Sequence, residues 1–292
     1  MRNIISAVIC AALICAGASA EIDILENGSA DGINENSAFA ISAEAAEVNA
    51  SDTRSFSWYC AHRDDGKQPE CDPEMRFIEE YNGYYVDKAH SEPDSDDKVI
   101  YLTFDAGYEN GNVEKILDVL KEENVQGAFF ILENLIKQNT DLVKRMAEEG
   151  HLVCNHTARH RDMSKVSDID TFKSELETLE SIYKEYTGLD MAKVYRPPEG
   201  KFSKANLSMA NELNYKTVMW SFAYADWDNE KQPDPEKAKA KVLAGTHNGE
   251  ILLLHPTSAV NAEIMSDLIR EWKSMGYRFG SLDELQSTAN NT

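Results

Sequence analysis

"YLTFDAGYENG" (residues 101–111) runs from a β-rich apolar stretch into an aspartate, Asp105, and then into a turn marked by Gly107 and Gly111. A short apolar run of this kind, ended by an acid and glycines, reads as a buried strand that delivers a polar side chain at its C-terminal end. The run starts at Val99 (VIYLTF, 99–104). Comparable runs follow at 128–132 (AFFIL), 151–154 (HLVC), 193–196 (KVYR), 216–221 (KTVMWS), 250–255 (EILLLH) and 277–280 (YRFG). The stretches between them carry helical spacing. Val113, Ile116, Leu117 and Leu120 share one face of 113–123. Ile169, Phe172, Leu176, Leu179, Tyr183 and Tyr186 share one face of 168–186, with Ser167 as expected N-cap and Gly188 just past the end. Ile264, Leu268, Ile269 and Trp272 do so in 259–275. Seven strands alternating with helices predict βα units and a parallel sheet. The fold class is therefore α/β, a closed or nearly closed barrel beginning at Lys98.

In a parallel βα barrel the C-terminal strand ends share one face, where active sites are built. Asp105 follows the first strand and His156 follows the third. Arg196 ends the fourth, Asp226 lies in the loop after the fifth, and His255 ends the sixth. Residues far apart in sequence thus converge on one mouth. His156 and His160 are four apart, a spacing that on a helical turn puts both imidazoles on one side, suited to a divalent metal. Such an ion polarises a carbonyl and lowers the pKa of bound water toward about 7. Asp105 is the candidate general base and His255 the candidate general acid for a departing amine. Arg196 is expected to pair with Asp105, and Asp226 with His255. The "PPEG" turn after Arg196 offers a backbone N–H, that of Glu199, to an oxyanion. Trp227 and Leu254 are the candidate apolar walls for a small acyl methyl. The parts specify water attack on an amide or ester with proton delivery to the leaving group.

The chain has 292 residues with 51 acidic and 29 basic side chains, a formal net charge of −22. That excess argues against a nucleic-acid partner, which requires a basic face. Arg2, the apolar "IISAVICAALICAG" and "ASA" before Glu21 form an export-signal pattern, so residues 1–20 are expected to be a signal peptide. No other segment is apolar enough to span a bilayer. Residues 21–55 read as a disordered acidic linker and 56–97 as an N-terminal extension packed on the barrel. Of the cysteines beyond the signal, Cys60 and Cys71 are expected to bridge, closing a short polar loop worth about 3 kcal/mol. Cys154 is expected to be a core thiol.

"TFDAG", "HTARH", "RPPEG", "DW" and "LLLH" closely resemble, in order and spacing, the motifs of the polysaccharide deacetylase (NodB-homology) family. The resemblance covers 98–288 and implies a distorted seven-stranded (β/α)7 barrel, an incomplete TIM-like barrel. It implies Asp105 as base, His156 and His160 as metal ligands, Arg196 orienting the base, and Asp226 tuning His255 as acid. Zinc is the metal first expected, with cobalt, manganese or magnesium as alternatives. "WYCAHRDDGKQPECDPEMRFIEEYNGYYV" (58–86) and "GYENG" (107–111) resemble the delta-lactam-biosynthetic de-N-acetylases of spore-forming bacteria. Those enzymes deacetylate N-acetylmuramic acid in peptide-stripped peptidoglycan, so a glycan strand is the implied partner. The implied location is the cell wall, the space between the forespore membranes or the exterior, and a monomer is expected.

Two positions depart from the family. Position 106 usually carries a second aspartate as metal ligand, and Ala106 offers neither oxygen nor charge. The loss is expected to weaken metal binding about 10–100-fold, with water, a substrate oxygen or Glu109 completing the coordination. Glu199 stands where many members have an aromatic residue. Arg159, Arg161, Lys201 and Lys204 are candidate receivers of the muramic lactyl carboxylate. A deacetylase of N-acetylglucosamine polymers or acetylated xylan, and a sugar-binding protein with a weakened site, are the competing readings.

Overall fold

The computed structural model describes residues 52–286, so the expected signal peptide and most of the expected linker lie outside the described residues. The predicted strand at 99–104 is β3 (Lys98–Ala106), preceded by two short strands of the extension, β1 (Phe56–Ser57) and β2 (Gly83–Tyr84). The chain continues through α1 (Val113–Glu122), β4 (Ala128–Ile131), α2 (Glu133–Gln138), α3 (Thr140–Glu148) and β5 (Leu152–Asn155). It goes on through α4 (Ile169–Thr187), β6 (Val194–Tyr195), β7 (Lys201–Phe202), α5 (Lys204–Glu212), β8 (Lys216–Val218) and β9 (Phe222–Ala223). Helix α6 (Pro235–Gly245), β10 (Glu250–Leu254), α7 (Ala259–Ser274) and β11 (Tyr277–Phe279) complete it. All seven predicted strands are present, as β3, β4, β5, β6, β8, β10 and β11.

With β2 and β9 they form one nine-stranded parallel sheet in the order β2-β8-β6-β5-β4-β3-β10-β9, and β11 pairs with the first residues of β3. This is the distorted (β/α)7 barrel, open between β2 and β9. Alternation along β3 sorts its side chains. Val99 and Tyr101 join Phe130, Cys154, Val218 and Ile251 in the lumen core, while Ile100, Leu102, Phe104 and Ala106 face the helix layer. Helix α1 buries all four of its expected apolar residues, and α7 does the same with Ile264, Leu268, Ile269 and Trp272. Helix α4 is capped by Asp168, whose side chain accepts from the Thr171 N–H, not by Ser167. Both residue types cap well, and the helix register selects the later one. Gly188 ends α4 in the left-handed conformation (φ 77°), as its position predicts. Among the described residues no helix is long and apolar enough to cross a membrane.

The extension packs on the barrel from Asp52 onward, where the Asp52 carbonyl accepts from the Ala205 N–H (3.1 Å). Strand β2 adds to β8, and Val86 bridges Glu250, so the extension fills the open seam from both sides. Cys60 and Cys71 face each other in an antiparallel backbone pair, but both are buried free thiols, so the expected bridge is absent. Backbone pairing closes that loop instead, and burial pushes the Cys60 thiol up to about 12. Cys154 is a core thiol, fully buried in the lumen.

Glu250 is fully buried and neither carboxylate oxygen has a hydrogen-bond partner among the described residues. Burial raises its pKa well above the ordinary carboxylate range. Because the folded value lies above the unfolded one, this group costs stability once pH rises past the ordinary carboxylate range. Glu250→Met is therefore expected to stabilise the protein at pH 7 by about 1–3 kcal/mol. At roughly 2–4 °C per kcal/mol the gain is readable by calorimetry, and it should vanish near pH 3. An unchanged Tm at pH 7 contradicts this.

Candidate active site

A cleft of about 670 Å³ opens at the C-terminal ends of the strands, and Asp105, His156, His160, Glu199, Trp227 and His255 all line it. Asp105 and Thr103 point into the lumen from alternate positions of β3. Arg196, which follows β6, crosses the lumen with no exposed surface. Its Nη1 donates to Asp105 Oδ1 (2.8 Å), Nη2 to Thr103 Oγ1 (2.9 Å) and the Met219 carbonyl (3.0 Å), and Nε to the Val218 carbonyl (2.9 Å). The guanidinium also lies 4.1 Å from the Phe130 ring centroid. Burial by itself raises the Asp105 pKa, but His156, Arg196 and His255 together outweigh it and hold the carboxyl below its ordinary value.

The ends of β10 and β9, the strands that follow β3 in the sheet order, carry the second pair. Asp226 is buried and accepts from His255 Nδ1 (2.7 Å), the His255 backbone N–H (2.8 Å) and Asn261 Nδ2 (2.6 Å). Asn261 in turn accepts from the Tyr224 hydroxyl. His255 thus donates through Nδ1 and leaves Nε2 for the cleft. Burial lowers the His255 pKa, and the Asp226 carboxylate more than offsets this, so the imidazole sits above its ordinary value.

His156 donates through Nδ1 to the Arg196 carbonyl (2.9 Å), which leaves Nε2 3.5 Å from Asp105 Oδ2. Burial lowers it to about 4, so it is neutral at physiological pH. The 156–160 segment is not a helical turn as its spacing predicts. Thr157 (φ 71°) and His160 (φ 53°) are left-handed, Asn155 and Thr157 side chains bond the backbone, and the two imidazoles meet edge to face with centroids 5.1 Å apart. A tight turn, not helix periodicity, brings these rings together.

Three sequence expectations change. Leu254 is fully buried in the helix-facing layer, and the cleft is lined by Leu253 instead. The period of two along β10 sends Leu254 outward. Trp227 stands on the rim, 62% exposed, with its ring 6.2 Å from His255, so it is no enclosed wall. Glu109 accepts from the Gly111 and Val113 N–H groups, one on each oxygen, which engages it in the turn before α1 in place of the role of spare metal ligand. Glu199 lies at the mouth in a left-handed conformation (φ 56°), its side chain paired with Lys201 (2.6 Å).

The donor set for a metal can be tested on these positions. His156 and His160 supply two imidazoles, and the His156 Nδ1–carbonyl bond is the usual support for a metal-binding ring. Ala106 supplies nothing, and it is fully buried as part of the helix-facing apolar layer. Among the described residues no group of three His, Cys, Asp or Glu side chains gathers to hold an ion. Two imidazoles fall short of the three protein ligands of a tightly held catalytic ion.

Sequence reasoning missed Thr103, Asn261, Tyr108 and Glu175. Thr103 was readable, two residues before Asp105 on the same strand face. Glu175 was not: its buried carboxylate binds both Arg159 (3.4 Å) and Arg161 (3.0 Å) from α4.

The profile of the polysaccharide deacetylase family matches residues 92–218. Peptidoglycan-N-acetylmuramic acid deacetylase PdaA of Bacillus subtilis is 36% identical over 243 residues, covering 82% of this chain and 89% of that protein. Its solved structure, a family 4 carbohydrate esterase, superposes with a TM-score of 0.74 over 80% of this chain and 97% of that one. A family 4 carbohydrate esterase from Bacillus anthracis is 35% identical, with a TM-score of 0.64, over 80% of this chain and 96% of that one. Deacetylases of this family are generally metal-dependent, which sets the two-imidazole site apart. By profile, by relatives and by fold, the chain belongs to the polysaccharide deacetylase family.

Proposed function

We propose that this protein is a hydrolase that removes the N-acetyl group from N-acetylmuramic acid in peptide-stripped peptidoglycan, so that the freed amine can close the muramic delta-lactam of the spore cortex. The carrying observation is a pair of dyads, Asp105–Arg196 and His255–Asp226, each of which presents one member, Asp105 and His255, to the same cleft. Their environments push the two groups apart, so a carboxylate and an imidazolium coexist near neutral pH. Asp105 takes a proton from the attacking water as its oxygen bonds to the acetyl carbon. The Glu199 backbone N–H faces the developing oxyanion. His255 Nε2 gives its proton to the sugar nitrogen as the C–N bond breaks, releasing acetate and the amine.

His156 and His160 are the donors toward a divalent ion, zinc before cobalt, manganese or magnesium, since imidazole suits zinc. With two protein donors such an ion would exchange readily with solvent. Support for a glycan comes from the rim, where Trp227 and Tyr108 are the exposed aromatics of the cleft. Tyr108 is fixed by Asn229 Nδ2 on its hydroxyl (2.7 Å). Flat aromatic faces at a cleft mouth suit pyranose rings. Support for an acidic sugar comes from Arg159 and Arg161, both half-exposed or more and sharing the one Glu175 carboxylate, which leaves an uncompensated positive charge beside His160. Lys201 is paired with Glu199, and Lys204 is turned to Asp52 and the Phe77 ring, which takes Lys204 out of the set. The Bacillus subtilis relative, named for N-acetylmuramic acid, supports the same substrate, and export to the cell wall or the space around the forespore fits it.

Mass spectrometry of peptide-stripped muropeptides incubated with the protein tests this. One acetyl mass should be lost per muramic residue, with acetate released. Acetate from chitin oligomers alone would move the substrate to N-acetylglucosamine, and binding without any release would favour a glycan-binding protein.

The active form has Asp105 ionised and His255 protonated. The pH profile of kcat is expected to rise below the ordinary aspartate value and fall above the ordinary histidine value. Asp226→Asn removes the charge that raises His255, so the alkaline limb moves to lower pH while the acid limb stays. Each unit of that shift costs about tenfold in rate on the alkaline side. A limb that does not move places the acid elsewhere.

A further inference from the structure

The extension does more than fill a seam, because one of its residues ties together two pieces of the cleft wall. Trp58 is buried against Tyr85 (ring centroids 5.1 Å). Its backbone N–H donates to the Gly200 carbonyl (2.8 Å), and its indole Nε1–H donates to the Trp220 carbonyl (2.9 Å). Next to it β1 pairs with β7, setting Ser57 opposite Lys201 and Phe56 opposite Phe202. The Glu199–Gly200 turn is thus held from behind along its whole exit. That turn is left-handed at both residues (φ 56° and 63°), a conformation that costs a non-glycine residue about 1 kcal/mol or more unless its surroundings impose it. The fit is close: a Cβ on Gly200 would meet the Trp220 ring at 2.7 Å and Trp58 Cβ at 3.1 Å. On the other side, Trp220 directly follows Met219, whose carbonyl, with that of Val218, holds the Arg196 guanidinium.

We propose, resting on the deacetylase reading above, that Trp58 is a positioning residue: its two N–H groups set the spacing between the Glu199 turn and the Val218–Trp220 exit, and so fix the oxyanion donor relative to the Arg196–Asp105 pair. Trp58 itself touches neither substrate nor Asp105. Its effect is on the geometry of the transition state, where small misplacement is costly, and little on sugar binding at the rim.

The test compares Trp58→Phe, which keeps a ring and loses the indole donor, with Phe77→Leu, which loosens the same apolar cluster away from the cleft. Phe77 packs on Phe202, so the comparison is read on the turn itself and not on β7. Hydrogen exchange read by mass spectrometry over 197–200 and 218–222 should quicken at least roughly tenfold in Trp58→Phe and stay unchanged in Phe77→Leu, with both variants folded by circular dichroism. On the acetylated glycan, kcat should fall roughly 10–100-fold in Trp58→Phe with KM nearly unchanged, and Phe77→Leu should keep its kcat even if its Tm falls as far. Unchanged exchange in Trp58→Phe overturns the clamp, whatever the activity of the wild type. Faster exchange with unaltered kcat overturns its role in positioning. A wild-type protein that releases no acetate from any glycan sinks the deacetylase reading instead, and the exchange arm still decides the clamp.

Discussion

Asp105→Asn is expected to lower the rate of acetate release about 10²–10⁴-fold while the protein still folds and still binds glycan. The amide keeps an oxygen for Arg196 Nη1, the contact that Asp105 Oδ1 makes at 2.8 Å. What it loses is the ability to accept a proton. It also leaves the Arg196 cation buried without its counter-charge, so some loss of Tm accompanies the loss of rate. Steady-state kinetics with a binding measurement on the same glycan separates the two effects. A loss of less than tenfold, with binding intact, means that another group removes the proton from water.

Arg196→Met should be the most damaging single substitution in the lumen. Arg196 is fully buried, and Thr103, Asp105, Val218 and Met219 all accept from it. Removing it strands the Asp105 carboxylate, and breaking a buried pair in this way costs about 3–5 kcal/mol. At roughly 2–4 °C per kcal/mol this is a large fall in Tm. The pH dependence has a defined sign. A carboxyl held below its ordinary value stabilises the fold above that value and ceases to do so as pH falls through the folded one. The deficit of Arg196→Met relative to wild type should therefore be greatest at neutral pH and shrink in acid. The same substitution lets the Asp105 pKa rise, so whatever activity remains has its acid limb moved to higher pH. Equal Tm values for the two proteins at pH 7 would mean that Arg196 is not the ion that balances Asp105.

What the amino-acid sequence reveals here follows from the range of each interaction. The strands announce themselves because each is a short apolar run, and the candidate catalytic side chains because they sit at or just past strand ends. Asp105, His156, Arg196, Asp226 and His255 could be gathered on that rule alone; in the structure Asp105, His156 and His255 line one cleft, with Arg196 and Asp226 buried behind Asp105 and His255. Finer placement fails where one residue of register matters. Leu253 and Leu254 are chemically identical neighbours, and only the pleat of β10 decides which faces the cleft. Ser167 and Asp168 are rival caps in the same way. The 156–160 turn misleads because left-handed residues at Thr157 and His160 are fixed by side-chain bonds that no periodicity encodes. The helices α2, α3, α5 and α6 went unread since their apolar positions are few. Least legible are contacts spanning the chain: nothing near Trp58 in sequence points to Gly200 or Trp220, and nothing near Arg159 points to Glu175.

The register of β2 has a bearing on how the chain reaches its native state. Gly83 pairs with Thr217, more than a hundred residues later, while β3 and β4 pair across little more than one helix. Pairings between such distant segments carry a larger loop-closure penalty and consolidate late. Until β8 is in place, the extension has nothing to dock on, and Ile78, Tyr81 and Tyr85 wait with their apolar surface in water. This ordering makes the extension the last piece to lock and the first to open, so limited proteolysis should nick it before the barrel. A shortened chain starting at Lys98 would leave the β8 edge bare and prone to sticking to other copies.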